Sequence, residues 1–150
     1  MNYRKTMSRL NAALNKIDLA YETIAKKHGL TFNSLMVIYL IDSAENITQK
    51  QICEELHLPK STVHSILLDF IKQDYTKLVE GSNKKEKFIV VTATGNLHFR
   101  EILEETHAVE KTVLDALGDK ACAFLTETAE TVGNLLTEEI VKINNDGVIL

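Results

Sequence analysis

The chain has 150 residues, 45% apolar and 25% charged, the length and composition of one globular domain, which excludes the disordered and fibrous classes. Arg4, Lys5 and Arg9 are not followed by an uninterrupted apolar stretch, so neither a signal peptide nor a membrane span is expected, and the cytoplasm is the expected compartment. The net charge of -4 is unevenly spread: residues 1–47 carry six basic and four acidic residues, residues 48–92 seven and six, and residues 93–150 four and eleven, so the acidity belongs to the C-terminal third.

From Tyr3 to about Lys27, Met7, Leu10, Leu14, Ile17, Tyr21 and Ile24 recur in steps of three and four, one narrow seam of a long helix suited to a partner helix. His28-Gly29 should close it, because glycine adopts the left-handed conformation of a helix end. A second helix is expected from Thr31 as its cap, with Leu30 and Leu35 at staple positions and Leu35, Met36, Ile38, Tyr39 and Leu40 as a broad buried face. Thr48-x-x-Gln51 is a capping box, stapled by Ile47 and Ile52, and opens a short helix ending near Leu56. Pro59 holds Leu58 extended and fits the first turn of the next helix, Lys60 to about Gln73. There Val63, Ile66, Leu67, Phe70 and Ile71 form the packing face, leaving Lys60, Ser61, Thr62, His64, Ser65, Asp69 and Lys72 on the rest.

Beyond Gln73-Asp74 the pattern changes to two strand-like runs, Thr76 to Glu80 and Lys87 to Thr92, around the polar tip Gly81-Ser82-Asn83-Lys84-Lys85-Glu86. Thr92 caps a long helix that Gly118 should end, and a last helix runs from about Lys120 to Ile143. The expected fold is mainly α with a small β-hairpin wing, a winged helix-turn-helix between long N- and C-terminal helices. Its division is residues 1–29, 30–92 and 93–150. The outer helices offer more apolar surface than a small wing domain covers, so a homodimer is expected. Its seam would be Met7, Leu10, Leu14 and Ile17 in the first helix and Leu125, Val132, Leu136 and Ile140 in the last.

A short helix, a tight turn and a second helix that begins with small polar and basic residues are what reading the major groove requires. Lys60 can donate to guanine acceptors, Ser61, Thr62 and Ser65 to bases or phosphates, and His64 to either. At the hairpin tip Lys84 and Lys85, with Lys87 beside them, make a positive cluster for phosphates or the minor groove. The order of these features along the chain is more telling than any one of them.

Leu30-Thr31, Ile47-Thr48-Gln49, Leu58-Pro59-Lys60-Ser61-Thr62-Val63 and Val91-Thr92-Ala93-Thr94-Gly95 resemble, in order, spacing and residue type, the MarR family of transcriptional regulators, and with the flanking helices the likeness covers nearly the whole chain. The resemblance implies a six-helix winged fold, a dimer joined through the first and last two helices, and binding to palindromic double-stranded DNA. It also implies that Asn83 and Lys85 stand where the family commonly has Asp and Arg at the wing tip. Lysine is a point charge without the arginine fork, so the wing should contribute charge and modest sequence preference. Ala93 replaces a frequent proline and suits a helix equally well.

An enzyme is not expected: there is no Gly-rich phosphate loop, no nucleophile with its base and no H-E-x-x-H motif. No cofactor or metal site is expected either, since His98 and His107 lack the i, i+4 spacing of ligands on one helix. Cys53 and Cys122 read as ordinary buried thiols. A thiol-based redox sensor remains an alternative, although the reactive cysteine of such MarR-like proteins stands near the start of the first helix and this chain has none there. A winged-helix protein-interaction module without DNA binding is the other alternative, motivated by the acidity and the missing wing arginine. A small-molecule effector, lodged between dimer helices and wing domain near Met36, Tyr39 and Phe99, would make the regulator a releasable repressor.

Overall fold

A computed structural model describes residues 1–81 and 86–145. Helix α1 spans Tyr3–Lys27. Gly29, at φ +70°, reverses the chain after it: the Leu30 N–H donates to the Ala25 carbonyl and the Gly29 N–H to that of Lys26, which satisfies two carbonyls of the last turn. Thr31 caps α2 (Phe32–Ser43), accepting from the Ser34 N–H. Both halves of the expected capping box open α3 (Gln49–Leu56): Thr48 Oγ1 accepts from the Gln51 N–H, and Gln51 Oε1 accepts from the Thr48 N–H at 2.9 Å.

Helix α4 (Lys60–Lys72) follows, then the antiparallel hairpin of β1 (Thr76–Glu80) and β2 (Lys87–Val91), in the register Thr76 opposite Val91 through Glu80 opposite Lys87. The expected wing strand lost only Thr92, whose hydroxyl turns to cap α5 (Ala93–Leu117) by accepting from the Gly95 N–H. Gly118, at φ +79°, ends α5, and α6 occupies Asp119–Asn145. The Val148-Ile149-Leu150 tail lies outside the described residues.

The chain forms two compact units, Met1–Thr106 and the part from His107 onward. In the first, Leu35, Val37, Ile38 and Ile41 of α2 are buried with Ile52 of α3, Val63, Leu67 and Phe70 of α4, Ile89 of β2 and Phe99, Ile102 and Leu103 of α5. Helix α2 is the hub: apolar residues run all round it because neighbours surround it on several sides. The seam foreseen for α1 divides. Tyr21 and Ile24 pack against this core and Ala25 is buried in it, whereas Met7 and Leu10 are half-buried and Leu14 and Ile17 exposed. In the second unit the end of α5 and α6 leave Val113, Leu117, Phe124, Leu125, Leu136 and Ile140 exposed.

Two features of the first unit lay outside the sequence reading. The Ile89 N–H donates to the Ile47 carbonyl at 2.9 Å and Thr48 bridges Phe88, so the segment opening α3 adds a rung to the wing. At the other end of the hairpin Asp74 sits at φ +57°, where the Thr92 hydroxyl donates to its carbonyl and the Thr94 hydroxyl to its carboxylate. Gly95 is required there: a Cβ on it would stand 1.9 Å from the Tyr75 carbonyl oxygen. The Thr92-Ala93-Thr94-Gly95 stretch is thus a clasp joining the wing to α5.

Candidate nucleic-acid interface

The turn between α3 and α4 is tight because His57 adopts the left-handed conformation, φ +51°, and the Leu58 N–H donates back to the Cys53 carbonyl. Pro59 was expected inside the first turn of α4. It stands one residue earlier, as the N-cap, its carbonyl accepting from the Thr62 and Val63 N–H groups. Proline offers no side chain to cap the helix, so α4 begins with no side-chain cap bond. The positive end of its dipole and its first N–H groups suit an anion.

Val63, Leu67 and Phe70 anchor α4 in the core, while Lys60, Ser61, His64 and Ser65 are exposed and Thr62 is half-buried. The five recognition residues read from the sequence therefore stand on the outer side and shoulder of one helix. Two further groups join them. Gln49 Nε2 donates to the Lys60 carbonyl at 3.3 Å, fixing the start of α3 against the start of α4. An open groove between the start of α2 and the outer face of α4 brings Thr31, Asn33 and Ser34 beside Ser61, Thr62, Ser65 and Asp69, with Ile66 among them. Neither is visible in the sequence, where Thr31-Phe32-Asn33-Ser34 reads only as a helix start, because a pattern within one helix does not reveal what a second helix brings to it.

Leu68 is another addition, an apolar side chain 40% exposed among the polar residues of α4. In the wing, Lys87 is exposed, and in the strand register it stands opposite Glu80, a pairing that offsets its charge. Asn83, Lys84 and Lys85 lie outside the described residues.

The dimer residues foreseen on α6 share one stripe, with Leu125, Leu136 and Ile140 exposed and Val132 half-buried. Phe99, considered as an effector-lining residue, is instead core, its ring 5.3 Å from that of Phe70 and 5.7 Å from that of Tyr75, and Met36 and Tyr39 pack against the same core. His98 stacks on Tyr75 with ring centroids 4.4 Å apart. Cys53 and Cys122, expected to be buried, are both half-buried. Among the described residues no three His, Cys, Asp or Glu side chains are grouped as a metal would require, and no helix is long and apolar enough to cross a membrane.

One ionic cluster lies away from this face. Glu105 of α5 accepts from Lys27 Nζ and is paired with His28 Nε2 at 2.8 Å, at the closing turn of α1. The hydrogen bonds from Lys27 and then His28 hold its carboxyl below the usual carboxylate range.

Residues 28–80 match the profile of the MarR family. No curated protein matches the chain. Among solved structures, a MarR family regulator from Neisseria meningitidis is similar with a TM-score of 0.82 at 22% identity, over 95% of this chain and 99% of its own. A MarR from Staphylococcus aureus in complex with salicylate and kanamycin gives 0.72 at 14%, over 91% and 93%. A MarR family transcriptional regulator from Listeria monocytogenes complexed with a 26-mer DNA gives 0.70 at 14%, over 96% and 96%. The family model thus covers the segment from the end of α1 to the first wing strand, and the chain has the winged-helix fold of these solved MarR regulators.

Proposed function

We propose that this protein is a homodimeric, sequence-specific DNA-binding transcriptional regulator, a repressor released by a small effector, working in the cytoplasm. The observation that carries the reading is α4: its core residues fix it in place while Lys60, Ser61, His64 and Ser65 stand exposed around an end without a side-chain cap. Side chains there reach base edges, and the N–H groups and dipole favour the flanking phosphates. Thr62, with Thr31, Asn33 and Ser34 across the groove, lies at the shoulder of that face. In the wing, Lys84, Lys85 and Lys87 would supply positive charge to the adjacent backbone or minor groove, and Asn83 a neutral hydrogen-bonding side chain.

In this reading residues 1–29 and 93–150 make the dimer, through Met7, Leu10, Leu14, Ile17, Leu125, Val132, Leu136 and Ile140, and residues 30–92 read DNA. The exposed apolar stripe on α6 supports a second copy as its cover. A two-fold dimer presents two α4 helices to half-sites about one helical turn apart on a palindrome. The similar fold solved with DNA supports the partner, and the one solved with salicylate supports an effector that is a small aromatic acid.

The test is Lys60→Ala against wild type on the operator, titrated over a range of salt. If Lys60 meets phosphate, affinity falls and the salt slope drops by about two units, one for each subunit of the dimer. Equal slopes and equal affinities would sink the assignment of α4 as the reading element.

A further inference from the structure

A helix lying in the major groove presents one stripe to the base edges, and in helix-turn-helix proteins of the homeodomain type the reading positions are spaced i, i+3, i+4, i+7. On α4, starting from Ser61, that stripe is Ser61, His64, Ser65 and Leu68, and all four are exposed. The first three are hydrogen-bonding side chains. The fourth is a leucine, 40% exposed next to the buried Leu67. Its neighbours on the outer face are Ser65, Asp69 and Lys72, all exposed, so Leu68 is an apolar position within a polar surface.

From Ser61 to Leu68 the helix rises about 10 Å, a distance comparable to the width of the major groove, about 12 Å. Both ends of the stripe can therefore reach base edges. Only one base edge in that groove carries an apolar group, the C5 methyl of thymine, and an aliphatic side chain distinguishes it from cytosine by contact rather than by hydrogen bonding.

We propose that Leu68 is a specificity-determining residue, packing on a thymine methyl in each operator half-site. The inference rests on α4 being the DNA-reading helix. Ser61, His64 and Ser65 then read the positions nearer the helix start, and Leu68 fixes one thymine deeper in the half-site.

The experiment removes the methyl from the DNA. In the operator recovered for the full-length protein, each thymine is replaced in turn by uracil, which keeps the base pair and loses only the methyl. Binding is measured for wild type, Leu68→Ala and Leu68→Met. At one thymine per half-site, uracil should weaken wild type about fourfold, the effect of exposing one buried carbon. Leu68→Ala, which changes both subunits and so both half-sites, should weaken binding to the thymine operator by about the square of that factor and be indifferent to uracil there, while Leu68→Met keeps the sensitivity.

Wild type indifferent to uracil at every position overturns the inference while leaving the DNA-reading proposal standing. So does Leu68→Ala with the wild-type uracil penalty. A wild-type protein with no sequence-specific operator overturns both. Thermal melting of each variant separates lost contact from lost fold, and if Leu68→Ala fails to fold, Leu68→Met and wild type against the uracil series decide the matter alone.

Discussion

Gly95 shows how a single residue type can be forced by its surroundings. It lies in the first turn of α5 against the backbone of Tyr75, and the space a methyl would need is occupied by that carbonyl oxygen. Gly95→Ala must push the wing away from α5 and should destabilise the protein by about 2–3 kcal/mol in urea melts, although alanine is the better helix former. Thr76 is the converse case. It is buried at the start of β1, and no hydrogen-bond partner is found for its hydroxyl among the described residues. Thr76→Val removes an unsatisfied donor at nearly constant shape and should raise stability by about 1 kcal/mol. The sequence marked Gly95 through its place in the family pattern and passed over Thr76, since threonine in a strand is ordinary and only its burial without a partner is unusual.

Among the elements, capped helices were the most legible. Thr31, the Thr48-Gln51 box, Gly29 and Gly118 each place a helix end through a bond or a backbone angle that depends on nearby residues, and each stands where expected. What depends on distant residues was not legible: the Ile47 rung on the wing, the groove of Thr31, Asn33 and Ser34 against α4, and the packing of Tyr21 and Ile24 on the core from a helix whose Leu14 and Ile17 are exposed. The same holds for the tie between α1 and α5. Glu105 has its pKa lowered by Lys27 and His28, so its contribution is present at neutral pH, above the unfolded carboxylate range, and is lost as pH falls through the folded value. Glu105→Gln should therefore be less stable than wild type near pH 7, and the gap should close on acidification. A gap that stays constant with pH would show that the carboxylate charge is not what holds α1 to α5.

For the molecule as a whole, the exposed apolar residues of α1 and of the second unit are what the proposed dimer would cover. Leu136→Glu should shift the sedimenting species to monomer and weaken operator binding by more than about tenfold, because two half-site contacts are no longer joined. Unchanged mass with this variant would place the interface off the α6 stripe. Charge is unevenly divided too: residues 93–150 carry four basic and eleven acidic residues, whereas residues 48–92, from the start of α3 through the wing, carry seven and six. Such a segregation is what would let a chain of net charge -4 bind a polyanion.

Whether the chain reads duplex DNA through α4 is decided by selecting from random duplexes with the purified protein at low and at moderate salt. A reader of DNA enriches a palindrome with half-sites about one turn apart, with affinity falling steeply as salt rises. No enriched sequence even at low salt would contradict that reading and favour a winged-helix module that binds another protein.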